Sequence, residues 1–100
     1  MFAIIRIKVH KAEGAVVVAA CDSELCGKVV KQGKLKLDIC ESFYGSEDFE
    51  EGVLANFLAL CGSANLVGGR AVAAAVSAGF VDGECVMVIG GVPHAQFYRV

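Results

Sequence analysis

The chain has no tryptophan, a single proline and few aromatic side chains, and it lacks a long uninterrupted apolar run. The longest helical-looking apolar tract, residues 66–80, is interrupted by Gly68, Gly69 and Arg70 and is shorter than the ~20 residues that span a bilayer. The first residues also lack the basic and then apolar pattern of a signal peptide. We therefore expect a cytoplasmic protein without a membrane partner.

Cysteine is present in an odd number, which argues against a disulfide framework when no export signal accompanies it. The spacing contains no CxxC pair, and no nearby histidine completes a set of zinc ligands. Four of the five lie in apolar surroundings, where a free thiol behaves as a small hydrophobic side chain. We expect packing roles, no metal and no cofactor; redox or metal chemistry is the alternative. The five are Cys21, Cys26, Cys40, Cys61 and Cys85.

The usual catalytic motifs are missing as well: there is no GxGxxG, Walker loop, GxSxG or HExxH. Gly90-Gly91 follows a predicted strand, but a second strand rather than a helix follows it, so no helix N-terminus is there to bind phosphate. No catalytic residue is assigned, and a non-catalytic protein is favoured.

Small apolar residues dominate what is present. The hydrophobic share is 56%, above the ~45–50% of an ordinary soluble domain, and 100 residues correspond to one domain, residues 1–100. Residues 1–40 carry seven basic and four acidic side chains, whereas residues 41–100 carry two basic and seven acidic ones. A nucleic-acid partner would therefore contact the N-terminal part.

Period-two alternation and β-branched runs predict four strands in the first 40 residues. The first covers residues 2–10, with Ile5, Ile7 and Val9 on one side. The second is a central strand over Ala15–Cys21. Gly27–Lys31 and Lys34–Ile39 form a second hairpin around Gln32-Gly33, with Leu35, Leu37 and Ile39 facing inward.

That hairpin gathers four lysines, Lys28, Lys31, Lys34 and Lys36. One interpretation is a solvated strand face whose lysines protect an edge from aggregation. The other is a patch that follows the phosphates of a nucleic acid.

Two helices are predicted next. Ser46 followed by a cluster of acidic residues is typical of a helix start, which indicates a helix over Ser46–Cys61. A second helix is expected from Ser63 to Ala78, followed by strands at Cys85–Ile89 and Ala95–Val100. The order ββββααββ predicts an α+β domain with a mainly antiparallel sheet and two helices on one face.

Gly68 and Gly69 interrupt the second helix, where each costs free energy unless it packs tightly or approaches a ligand closely. A glycine pair also opens the last loop, where it gives the backbone conformational freedom. Arg70 beside such glycines would suit an anion. His94, beside the proline, is a candidate general base or ligand contact, or else a locally bonded hairpin residue. The candidate ligand-binding residues are Asn65, Gly68, Arg70, Gly90, Gly91, Pro93, His94 and Gln96.

Four segments carry a resemblance to a known family: Gly-Lys-Leu-Lys-Leu-Asp at 33–38, Phe-Tyr-Gly at 43–45, Ala-Asn-Leu-Val-Gly at 64–68 and Ile-Gly-Gly-Val-Pro-His-Ala-Gln at 89–96. Together they resemble the small archaeal family known as domain of unknown function 424. The resemblance covers essentially the whole chain. It implies an archaeal, cytosolic protein and no established activity, catalytic residue or cofactor.

Three hypotheses about function follow. The first is a binding module in information processing that contacts RNA or a translation-related protein through the four lysines and Arg70. The second is a small-molecule-binding protein or enzyme with a pocket near Arg70 and His94, which requires these two residues to be adjacent. The third is a protein-interaction or scaffold subunit that self-associates into a homo-oligomer.

Overall fold

The computed structural model describes residues 4–99, and Met1, Phe2, Ala3 and Val100 lie outside the described part. In chain order its helices and strands are β1 (Ile4–Ala12), β2 (Ala15–Asp22), β3 (Val29–Gln32), β4 (Leu35–Asp38), α1 (Glu41–Tyr44), β5 (Asp48–Glu50), α2 (Leu54–Leu58), β6 (Ser63–Val67), α3 (Gly69–Ser77), β7 (Met87–Ile89) and β8 (Val92–Tyr98). Short 3₁₀ turns lie at Ser23–Leu25, Glu51–Val53 and Gly83–Cys85.

A six-stranded sheet in the order β5-β1-β2-β6-β8-β7 forms the centre of the molecule. Its neighbouring strands are antiparallel except β2 and β6, which are parallel. A parallel pair needs a long crossover connection. Here the crossover carries the β3–β4 hairpin, α1, the edge strand β5 and α2.

The helices α2 and α3 cover one face of the sheet, which we call the helix face. Alternation along each strand sends every second residue into this layer. Alanine there lets α3 approach the sheet closely, as at Ala71 and Ala75, both fully buried. The buried residues of this core are Ile5, Ile7, Val18, Ala20, Leu54, Leu58, Cys61, Ala64, Leu66, Ala71, Val72, Ala75, Val81 and Ala95.

The β3–β4 hairpin and α1 cover part of the opposite face, which we call the hairpin face. Leu37 and Ile39 turn inward from the hairpin, and Tyr44 enters from α1. The remaining buried residues of this second, smaller core are Ala19, Cys21, Val67 and Ile89. One face of the sheet is therefore covered by helices, and the other is covered only in part by the hairpin and α1.

The predicted fold class is confirmed: the chain is α+β, its sheet is mainly antiparallel, and two helices share one face. In the first predicted strand Ile5 and Ile7 are buried and Val9 packs against the same core, and Leu37 and Ile39 of the second hairpin are buried as expected. Leu35 is a correction, since about half of it is exposed at the hairpin tip. Positions 2 and 3 of the first predicted strand and position 100 of the last fall outside the described residues.

The helix predicted over Ser46–Cys61 is wrong for most of its length. Residues 48–50 form the edge strand β5, which pairs with β1 and places Phe49 opposite Ile5. The carboxylate of Asp48 accepts a hydrogen bond from Arg6 Nε at 3.1 Å. The acidic residues Asp48 and Glu50 therefore lie on an edge strand and not in the first turn of a helix. Within the predicted range only Leu54–Leu58 is α-helical.

The second predicted helix, Ser63–Ala78, is also wrong in its first part, since Ser63–Val67 is the strand β6. Polar Ser63 and Asn65 alternate with buried Ala64 and Leu66, which is the period of a strand. Hydrogen-bonded neighbours on both sides, β2 and β8, override the helical preference of the segment. The element order is thus not ββββααββ: a strand separates α2 from α3.

No helix within residues 4–99 is long and apolar enough to cross a membrane.

Candidate functional site

The part of the hairpin face that the hairpin and α1 leave open is lined by hydrogen-bonding side chains. On the paired strands β6 and β8, Ser63 lies opposite Tyr98 and Asn65 opposite Gln96. Gln96 and Tyr98 are exposed, and Ser63, Asn65 and His94 are half-buried. We call this surface the polar platform; it consists of Ser63, Asn65, His94, Gln96 and Tyr98.

Asn65 is the centre of the platform. Its Oδ1 accepts a hydrogen bond from the Tyr44 hydroxyl at 2.9 Å and lies 3.2 Å from His94 Nε2. Because a carboxamide oxygen only accepts, His94 must donate from Nε2, which leaves its Nδ1 as an acceptor. The Asn65 amide NH₂ has no hydrogen-bond partner among residues 4–99 and is free to donate to a ligand.

Burial sets the protonation states in this cluster. It lowers the pKa of His94 below its usual value, so that the imidazole is neutral at pH 7. Burial also raises the pKa of Tyr44, with smaller contributions from nearby Cys21 and Cys40. Tyr44 is therefore a permanent donor to Asn65, and the cluster is uncharged near neutral pH.

Tyr98 and Gln96 form the exposed part of the platform. The Tyr98 hydroxyl donates to Gln96 Oε1 at 3.2 Å, and about 65% of Tyr98 is exposed. An exposed ring on a sheet is a surface on which a planar ligand can stack. Tyr98 and Ser63 were not predicted as site residues from the sequence. The pattern that could have indicated them is the alternation of polar and buried residues along β6 and β8.

A second aromatic group lies across the sheet from Tyr98. His10 and Phe43 stack with ring centroids 4.9 Å apart, and His10 Nε2 lies 2.7 Å from the Phe43 carbonyl oxygen. His10 belongs to the same row of the sheet as Ser63 and Tyr98, through Val17 of β2. The open face is thus bordered by aromatic rings on two sides.

The four lysines predicted to bind nucleic acid, Lys28, Lys31, Lys34 and Lys36, are all exposed on or beside the β3–β4 hairpin, which we call the lysine hairpin. Lys31 and Lys36 are directly opposite each other. Within residues 4–99 none of the four has a carboxylate within 4.0 Å. Like charges at directly opposite positions destabilise a strand pair, so this arrangement does not stabilise the hairpin.

Arg70 has a structural role. Its guanidinium binds the Glu24 carboxylate through both terminal nitrogens and donates to the carbonyl oxygen of Ile4 at 2.9 Å. This bonding raises the pKa of Arg70 and lowers that of Glu24. The arginine is therefore not free to bind an anionic ligand.

Arg70 and His94 do not share a pocket. Arg70 lies at the start of α3 on the helix face. Ala95 is buried in the core of that same face, so its neighbour His94 points to the opposite face. The pocket near Arg70 and His94 that the second hypothesis requires does not form.

The candidate glycines also hold the backbone in place. Gly68 has φ +103°, and a Cβ on it would lie 2.4 Å from the Asp22 Cγ. Gly90 and Gly91, at φ +57° and +82°, form the two-residue turn between β7 and β8. A Cβ on Gly90 would lie 2.3 Å from Val30 Cγ1.

Pro93 completes this framework: its carbonyl oxygen accepts a hydrogen bond from the Gly68 N–H at 2.8 Å. Of the eight candidate ligand-binding residues, the structure brings Asn65, His94 and Gln96 together on the platform. It places Gly68, Arg70, Gly90, Gly91 and Pro93 in the framework around them.

The fold and this site define a small α+β protein with an open polar sheet face. Residues 10–100 match the model of the family described as "Protein of unknown function (DUF424)". The chain belongs to that family, as the motifs at 33–38, 43–45, 64–68 and 89–96 suggested.

The chain is also similar to a solved structure, that of an uncharacterized conserved protein from Methanopyrus kandleri. The two share 28% identity with a TM-score of 0.84, over 96% of this chain and 91% of the other. No curated protein matches the chain.

Proposed function

We propose that the protein is a non-catalytic RNA-binding protein that holds a single-stranded segment across the polar platform and the lysine hairpin. The observation that supports this most directly is four exposed lysines, with no carboxylate partner among residues 4–99, beside an open sheet face. The proposal includes a role of the protein in information processing, with RNA or a translation-related protein as its partner.

The lysine hairpin supplies the contacts to phosphate. Lys31 and Lys36 repel each other in the free protein because they are directly opposite. A phosphate between them removes that repulsion and releases counterions from the nucleic acid. Arg70 was predicted from the sequence to contact RNA together with these lysines. It does not bind phosphate in this proposal, because its guanidinium is bonded to the Glu24 carboxylate.

The platform supplies contacts to bases. Single-stranded RNA is recognised by stacking on exposed aromatic rings and by hydrogen bonds to base edges. Tyr98 offers the ring, and the free NH₂ of Asn65 offers donors half-buried beside it. His94 Nδ1 offers an acceptor, so the platform presents both kinds of hydrogen-bonding group.

Binding of a labelled single-stranded RNA of mixed sequence, followed by fluorescence anisotropy against salt concentration, tests the proposal. We expect the double variant Lys31→Ala/Lys36→Ala to bind about ten-fold more weakly at low salt. Its salt slope should be smaller by about 1.4, because two phosphate contacts are lost. Tyr98→Ala should lose about five-fold or more through the missing stacking contact.

Lys11→Ala is the matched control, since Lys11 is an equally exposed lysine whose strand position points to the helix face. We expect its affinity and salt slope to equal those of the wild type. No binding at low salt, or an equal loss in Lys11→Ala and in the double variant, contradicts the proposal.

A further inference from the structure

The two edges of the sheet are protected differently. On the β5 edge, Asp48 and Glu50 are exposed, and Arg6 pairs with Asp48. The β7 edge carries no charge, and Met87 and Val88 are 52% and 55% exposed. Natural sheets usually place charges on an open edge, and an uncharged apolar edge is a template for another strand.

Val88 directs its backbone groups toward that open edge. A two-residue turn makes Ile89 and Val92 the hydrogen-bonded pair, so Val88 and Pro93 form the next, non-hydrogen-bonded pair. Pro93 has no N–H to donate, and its carbonyl oxygen already accepts from Gly68 on the β6 side. The N–H and C=O of Val88 therefore point away from β8.

We propose that β7 pairs with β7 of a second copy of this chain, antiparallel about a two-fold axis at Val88. Each Val88 then donates its N–H to, and accepts at its C=O from, the Val88 of the other copy. The pairing joins two six-stranded sheets into one continuous sheet and sets the exposed Val88 side chains of the two copies beside each other. The same patch serves both copies, as a two-fold interface requires.

Charge supports a second copy as the partner. At the turn end of β7, Gly90 lies against the backbone of Lys31, so close that a Cβ would be 3.0 Å from the Lys31 carbonyl oxygen. At the other end, Asp82 and Glu84 are exposed in the turn that precedes β7. Antiparallel pairing brings the exposed Lys31 of each copy toward Asp82 and Glu84 of the other, so the charges that flank the uncharged strand β7 complement each other.

The mass of the full chain in solution, measured by light scattering or sedimentation from micromolar to millimolar concentration without nucleic acid, tests this pairing. We expect the mass of two chains at high concentration. Val88→Pro removes the outward N–H, which an edge strand tolerates, and should leave the mass of one chain with an unchanged circular dichroism spectrum. A wild type that is always a single chain, or a Val88→Pro variant that still pairs, overturns the proposal.

Charge reversal tests the interface without a change to the backbone of β7, unlike the proline variant. Lys31→Glu and Glu84→Lys should each weaken self-association about ten-fold, since every change acts twice in a two-fold dimer. The double variant should restore the affinity of the wild type. Lys11→Glu, the same change on the helix face, should have no effect; an equal loss there, or no rescue in the double variant, overturns the proposed pairing.

Discussion

At the scale of single residues, the environment of His94 shows how an uncharged cluster is held on an open surface. Asn65 accepts from both Tyr44 and His94. Adding a proton to His94 would place a charge in half-buried surroundings, where water solvates it poorly. The histidine is therefore a neutral hydrogen-bonding group at physiological pH.

His94 should make the stability of the fold depend on pH. Burial lowers its pKa in the folded state below the 6.5 of the unfolded chain, so the unfolded state binds the proton more readily. The free energy of unfolding should then be fully retained above pH 6.5 and decline as the pH falls from there through the lowered pKa. Urea unfolding of the wild type and of His94→Gln, whose amide preserves a donor to Asn65, measures this contribution.

We expect the decline to be shallower in His94→Gln, because this variant has no imidazole to titrate. Equal pH dependence in the two proteins would show that His94 does not cause it.

At the scale of elements, the start of α3 depends on a carboxylate from a distant strand. Asp22, at the end of β2, accepts hydrogen bonds from the backbone N–H groups of Arg70 at 3.2 Å and Ala71 at 2.9 Å. The carboxylate occupies the space that a side chain on residue 68 would need. Glycine at position 68 is thus a condition for joining α3 to the sheet.

Gly68→Ala should destabilise the protein by about 2–4 kcal/mol, because it combines a strained positive φ with displacement of the Asp22 cap. Gly69→Ala is the matched control one residue away. Gly69 is exposed, and a Cβ there would meet nothing within 4 Å. Its unfolding free energy should stay within about 1 kcal/mol of the wild type, in the stabilising direction.

Urea unfolding of both variants at one pH makes the comparison. Similar losses at positions 68 and 69 would contradict a specific role for the Asp22 cap.

At the scale of the whole molecule, the two layers around the sheet divide the cysteines by accessibility. Cys21 is buried under the hairpin face and Cys61 in the helix-face core, whereas Cys85 is exposed. Burial, with a contribution from the nearby Cys26 thiol, raises the pKa of Cys21 to about 12. Burial also raises the pKa of Cys61.

Thiol labelling at mildly alkaline pH, with the sites identified by mass spectrometry, should modify Cys85 first. Cys21 and Cys61 should react more slowly than Cys85 by a factor on the order of 10³ or more, because they become accessible only when the chain opens. In Cys85→Ser this fastest reaction should disappear, leaving the slower labelling of the partly exposed Cys26 and Cys40. Rapid labelling of Cys21 in the folded protein would contradict the burial described.

The α+β class and most of the N-terminal strands could be predicted, since Ile5, Ile7 and Val9 alternate with polar residues whatever the rest of the chain does. The strand Ser63–Val67 could not be predicted. Its five residues fit either a helix or a strand, and the strands that pair with it determine which of the two forms. The platform was half predicted. Asn65, His94 and Gln96 belong to the motifs from which the site was predicted. Tyr98 is part of the platform because its strand pairs with β6 and places it opposite Ser63, which the sequence does not show.

Local features followed from the sequence alone: the alternation of Ile5, Ile7 and Val9 in the first strand, the β3–β4 hairpin, and the contrast between a basic N-terminal part and an acidic remainder. Which residues meet was decided by the tertiary structure. Arg70 reaches Glu24 and Asp22, 46 and 48 positions away, and lies on the face opposite His94. The periodicity of a strand indicates which side of that strand a residue faces. Which other residues it contacts on that side depends on the order of the strands and on the packing of α3.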